Sequence, residues 1–171
     1  VCLTAAFDPN RTFKTRGNSV WLRLPNHPAL CRLIWRNIIP QLEGFGRCIA
    51  PDLIGMGDSA KLPNSGPGSY TFVEHRSFLD ALLDSLEVRE HVTFVVHDWG
   101  SALAFDWAYR HPDAVKGIAY MEAIVTSMNW SEMSERGRKI FQALRSPAGE
   151  QMVLEQNSFI EVNLPATTDA Q

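Results

Sequence analysis

Five consecutive residues, Val96-His97-Asp98-Trp99-Gly100, place an imidazole, a carboxylate and an indole at one point of the chain. The run that ends there, Val92-Thr93-Phe94-Val95-Val96, is β-branched and apolar and suits a strand buried on both faces of a parallel sheet. Residues 100–110, rich in small and aromatic side chains, read as a helix. A strand that runs into a helix through such a turn is where a nucleophile elbow belongs, usually Gly-x-Ser-x-Gly. Asp98 takes the nucleophile position and Gly100 the second small position, while Val96 stands where the first Gly would be. A carboxylate so placed can displace a leaving group from a saturated carbon and become an ester. Water then attacks the acyl carbon of Asp98 itself, a step that needs a base and oxyanion donors at that carboxyl. The Trp99 backbone N–H, at the start of a helix with its dipole behind it, suits one donor role. The Trp99 indole N–H is a donor only and suits an anionic leaving group such as halide. The competing reading is that Asp98 caps the helix. His97 is expected to point elsewhere, and His27, His75, His91 and His111 to be surface or satisfied histidines.

Glu122 follows residues 116–121, Lys-Gly-Ile-Ala-Tyr-Met, which read as another strand. In open parallel sheets, sites form at the carboxyl ends of strands, and Asp98 and Glu122 both fall at such ends. Glu122 can then orient a histidine base, as the acid of a triad does. The plainer alternative is a loop carboxylate with local hydrogen bonds.

The elements that must position these groups follow from periodicity. Residues 46–53 read as a short strand and 54–69 as a loop rich in Gly, Pro, Ser and Asn. Gly55 and Gly57 lack a following Gly-Lys-Ser/Thr, so a plain turn is expected rather than a phosphate loop. Phe78, Leu79, Leu82, Leu83 and Leu86 recur at helical spacing within 73–88. From 131 to about 163 the pattern is helical again, with Ser131 as N-cap and a break near Ser146-Pro147. Strand, helix, strand, helix, strand predicts an α/β fold with a mainly parallel sheet.

Composition bounds the function. The 171 residues are 45% hydrophobic and 20% charged, as in ordinary globular protein, with a net charge of −3. That balance argues against a nucleic-acid partner, which needs a basic face. Apolar runs fall short of a membrane span. Cys2, Cys31 and Cys48 are odd in number and lack Cys-x-x-Cys spacing, so neither a disulfide framework nor a metal site is expected. The first residue is Val and residues 1–20 lack the apolar segment of a secretory signal, so a processed chain or a fragment is expected, with a cytoplasmic location. Residues 1–36 carry +5 and the remainder −8, and the basic opening has no clear period.

From Ile34 to Pro165 the chain resembles the haloalkane dehalogenases of the α/β-hydrolase superfamily, in the branch that uses Glu as triad acid. The resemblance is carried by Trp35-Arg36-Asn37, Pro51-Asp52-Leu53-Ile54-Gly55-Met56-Gly57-Asp58-Ser59, His97-Asp98-Trp99-Gly100-Ser101-Ala102-Leu103, Ala119-Tyr120-Met121-Glu122-Ala123-Ile124 and Phe159-Ile160-Glu161. It implies Asp98 as nucleophile, Trp99 as halide donor, Glu122 as triad acid, and no cofactor or metal. Its partners would be a small halogenated hydrocarbon, water and halide. It divides the chain into a divergent or frame-shifted opening (1–33), a partial α/β-hydrolase core (34–124) and the beginning of a helical cap (125–171). Phe141 and Phe159 match aromatic positions of the family's pocket, with burial in a core as the alternative. Met133, Ser134 and Asn163 stand where the family is more apolar or bulkier.

Two departures accompany the resemblance. The family's His-Gly-Asn-Pro loop, source of a second halide donor, is replaced by Pro25-Asn26-His27-Pro28. Pro28 falls on the Asn, and Asn26 serves only with a two-residue shift. The family's base histidine lies far downstream of the triad acid, and no His follows His111 here, so the chain alone is expected not to turn over. Epoxide hydrolases and coelenterazine-type luciferases share the His-Asp-Trp-Gly turn and are the rival enzymes. Ring opening by the former needs cap tyrosines, whereas the last Tyr here is Tyr120. A non-catalytic remnant is the rival outside catalysis.

Overall fold

The structure is a computed structural model that describes residues 14–16, 19–21, 34–42, 44–57, 59–158 and 160–161. It divides into two compact units, Val1–Thr126 and Ser127–Gln171.

The first unit holds β1 (Lys14–Arg16), β2 (Ser19–Trp21), α1 (Ile39–Leu42), β3 (Cys48–Ile49), α2 (Phe72–Ser85), β4 (Val92–His97), α3 (Trp99–Arg110), a 3₁₀ turn (Pro112–Ala114) and β5 (Val115–Met121). β4 and β5 pair in parallel, from Thr93 opposite Gly117 to His97 opposite Met121, with α3 as the crossover between them. β2 and β3 are also parallel, and β1 joins β2 antiparallel. The strand expected over 46–53 is only two residues long. Pro51 lacks an N–H to continue the ladder, and the described strands form a three-stranded and a two-stranded sheet.

β4 was expected to be buried on both faces; it buries one. Val92, Phe94 and Val96 are 0–5% exposed, whereas Thr93 is exposed and Val95 half-buried. The inward face packs on Leu79, Leu82 and Leu83 of α2 and Leu103, Ala104 and Trp107 of α3. Phe94 and Trp107 meet edge to face at 5.4 Å. The other face, Thr93 and Val95, borders a cavity of about 600 Å³ also lined by Trp35, Ile39 and Val88. Truncating a core leucine such as Leu82 in this layer costs roughly 2–5 kcal/mol.

Both helices have local causes. Thr71 caps α2 through a reciprocal box: its Oγ1 accepts the Glu74 N–H (3.3 Å), and Glu74 Oε2 accepts the Thr71 N–H (2.7 Å). Pro112 stops α3 after His111, whose Nδ1 lies 2.9 Å from the Trp107 carbonyl. Arg110 donates to Asp80 of α2 (2.9 Å) and Asp106 of α3 (2.8 Å), tying the helices along their partly exposed side. His75 departs from expectation. It is half-buried with no hydrogen-bond partner at Nδ1, and burial holds its imidazole below its usual pKa.

The second unit holds α4 (Glu135–Leu144) and α5 (Ala148–Leu154). The expected cap, Ser131, instead sits in a turn closed by the Glu132 N–H to Asn129 carbonyl bond. Ser134 caps α4, its Oγ accepting from Gly137 N–H at 3.1 Å. The break near Ser146-Pro147 is as expected, with Pro147 in the N-cap position of α5. Gly149 lies against the Leu144 backbone so closely that any Cβ would collide with its carbonyl.

Candidate active site

β4 delivers Asp98 to the junction with α3 in an unusual backbone state. Its φ is 49° and ψ −127°, a region that non-glycine residues enter at a cost of about 1–3 kcal/mol. Asp98 occupies the N-cap position, yet its side chain makes no capping hydrogen bond. A cap would use ordinary extended backbone and an accepting carboxylate. The capping alternative therefore fails, and an exposed carboxylate stands on a strained turn at the carboxyl end of a buried strand.

The turn is held from inside α3. The Ser101 N–H (2.9 Å) and Oγ–H (2.5 Å) both donate to the Asp98 carbonyl. The same Oγ accepts the Ile124 N–H at 2.8 Å, and Ser101 is fully buried. Sequence reasoning missed Ser101. The available signal was a lone hydroxyl among the small and apolar residues of Gly100–Ala104, one turn beyond the carboxylate.

Glu122 follows β5 and also has a positive φ, 46°. Its Oε2 lies 2.7 Å from His97 Nε2. His97, expected to point elsewhere than toward Asp98, is directed to Glu122. Parallel register puts His97 opposite Met121, so the residue just after β5 reaches across one strand spacing of about 4.8 Å. Trp99 opens α3, is 53% exposed and tilts against Phe72 at 6.5 Å between ring centres.

Of the remaining site residues, Met133 is half-buried and Phe141 is 47% exposed. Asn26, Phe159 and Asn163 lie outside the described residues. Among the described residues no group of three His, Cys, Asp or Glu is placed to hold a metal ion, and no helix is long and apolar enough to cross a membrane.

The strand-elbow-helix unit of β4, Asp98 and α3 lies within residues 24–146, which the family model for the alpha/beta hydrolase fold matches. The chain belongs to that family. It is 57% identical over 132 residues to a haloalkane dehalogenase of Sphingobium indicum, covering 77% of this chain and 45% of that protein. It is 53% identical over 133 residues to a haloalkane dehalogenase of Mycolicibacterium smegmatis, covering 78% and 43%. The crystal structure of haloalkane dehalogenase DbeA from Bradyrhizobium elkani superposes with a TM-score of 0.67 at 42% identity, covering 81% of this chain and 47% of that one. The chain thus spans a little under half the length of these relatives.

Proposed function

We propose that the protein, in its full length, hydrolyses haloalkanes to an alcohol and halide through an ester on Asp98. The observation that carries this reading is Asp98 itself, a carboxylate held on a left-handed turn at the end of β4 and not used as a cap. The names of relatives 53% and 57% identical support it.

An Asp98 oxygen attacks the carbon that bears the halogen. The new C–O bond forms as the carbon–halogen bond breaks, and halide leaves toward the Trp99 indole N–H, with Asn26 as a second donor. Water then adds to the Asp98 carboxyl carbon while a histidine oriented by Glu122 takes its proton. The backbone N–H of Trp99 steadies the oxyanion. Collapse expels the alcohol, which takes that proton back and leaves Asp98 as a carboxylic acid; its remaining proton passes through the histidine to solvent and restores the carboxylate.

We assign the base to a histidine outside these 171 residues, because the matched 132 residues cover only 45% of the Sphingobium indicum relative. Residues 1–171 alone would then stop at the alkyl ester. Residues 34–124 serve as the core and 125–171 as the beginning of a cap whose Phe141, Phe159, Met133 and Asn163 line the substrate pocket; of the divergent or frame-shifted opening expected over 1–33, residues 24–33 fall within the family match. A cytoplasmic site completes the reading.

Incubating full-length protein with 1-bromobutane tests it. Steady bromide release that is lost on Asp98→Asn is expected. No release from properly folded protein overturns it.

A further inference from the structure

We propose that Ser101 is a positioning residue for this chemistry: its hydroxyl sets the distance between the nucleophile turn and the segment that carries Glu122. The inference rests on the reading of Asp98 and Glu122 just given. A serine hydroxyl has one proton and accepts through its lone pairs. Here the proton goes to the Asp98 carbonyl at 2.5 Å, and the oxygen accepts the Ile124 N–H at 2.8 Å.

The first bond is the local one a helical serine often makes to a carbonyl three residues back. The second is not local, since Ile124 is 23 residues further along. One fully buried oxygen therefore links the two segments. Asp98 and Glu122 both hold positive φ, and such conformations persist only where their surroundings over-determine them. Ser101 bonds the carbonyl of the first and pins the chain two residues past the second. The exposed His97–Glu122 pair joins the same segments, yet solvent competes for it, whereas the Ser101 link is dry.

The test compares Ser101→Ala with Leu103→Val in the full-length protein. Leu103 is buried in the same helix and belongs to the hydrophobic core, so it reports lost packing. For Ser101→Ala we expect kcat for bromide release from 1-bromobutane to fall roughly 10- to 100-fold. KM should stay within about twofold, and the Ile124 amide should exchange with solvent about tenfold faster or more. Leu103→Val should lower Tm with kcat within about twofold of wild type. If Ser101→Ala does not fold, Ser101→Cys keeps the volume with a weaker donor and acceptor, and a smaller kcat loss with faster Ile124 exchange is expected. Wild-type kcat, wild-type Ile124 exchange, or a kcat loss matched by Leu103→Val at equal loss of Tm overturns the proposal. If the wild type itself releases no bromide, the functional reading fails separately, and Ile124 exchange alone decides whether Ser101 is the link.

Discussion

His97 Nε2 and Glu122 Oε2 lie 2.7 Å apart across the carboxyl ends of β4 and β5. The two side chains are 39% and 81% exposed, so the pair adds at most about 1 kcal/mol to stability. Its consequence is for direction: the contact turns Glu122 toward the last residue of β4 while leaving its side chain largely exposed. A carboxylate accepts at both oxygens, so holding His97 through Oε2 does not by itself prevent Glu122 from orienting a second histidine.

Glu122→Gln should therefore leave the fold in place and slow the hydrolytic half of the reaction. The expected result is a rapid first release of bromide followed by a steady rate lowered about 100-fold or more. Rapid-quench halide assays read both phases. Equal slowing of the first phase would place Glu122 in alkylation instead.

Asp98→Gly separates chemistry from strain. Glycine accepts φ 49° and ψ −127° without a Cβ penalty. Halide release should vanish while Tm is kept or rises, by up to about 1 kcal/mol of stability. A clear fall in Tm would mean that the turn is not strained.

Trp99→Phe keeps a ring against Phe72 and removes the indole N–H. A hydrogen bond to a charged group is worth about 1.5–3 kcal/mol, so kcat/KM for bromoalkanes should drop roughly 10- to 100-fold with Tm little changed. Unchanged kcat/KM would remove Trp99 from halide binding.

The Thr71–Glu74 box predicts a pH effect remote from the site. Hydrogen bonds from Thr71, first its backbone N–H and then its hydroxyl, hold the Glu74 carboxyl below its ordinary pKa of 4.5. A lowered carboxylate pKa adds stability that is present above 4.5 and is lost as pH falls through the folded value. Glu74 is partly exposed, so the effect is small. Thr71→Ala should cost about 1 kcal/mol at neutral pH, and urea titrations should show the gap to wild type narrowing below pH 4.5.

Much of the site was readable because its elements have strong local causes. The β-branched run Val92–Val96, the small residues after Gly100 and the run 116–121 before Glu122 lead to β4, α3 and β5 within one residue of their ends. What escaped reading depends on direction or on tertiary cover. An aspartate suits both a cap and an elbow by residue type, and only the backbone angles at Asp98 separate them. The turn of His97 toward Glu122 comes from the register of two strands, which no single segment encodes. Ser131 and Ser134 are equal as caps by residue type, and Ser134 is the one whose hydroxyl accepts the N–H three residues on, Gly137. The one-sided burial of β4 reflects where α2 and α3 pack, not the composition of the strand.

The central claim is that Asp98 is alkylated and that water attacks its own carboxyl carbon. Turnover of 1-bromobutane by the full-length protein in oxygen-18 water, followed by mass analysis of the peptide containing Asp98, tests it most directly. The first turnover is expected to place the label in the Asp98 carboxylate, with unlabelled oxygen leaving in the alcohol. Label in the butanol from the first turnover, with none in Asp98, would contradict it.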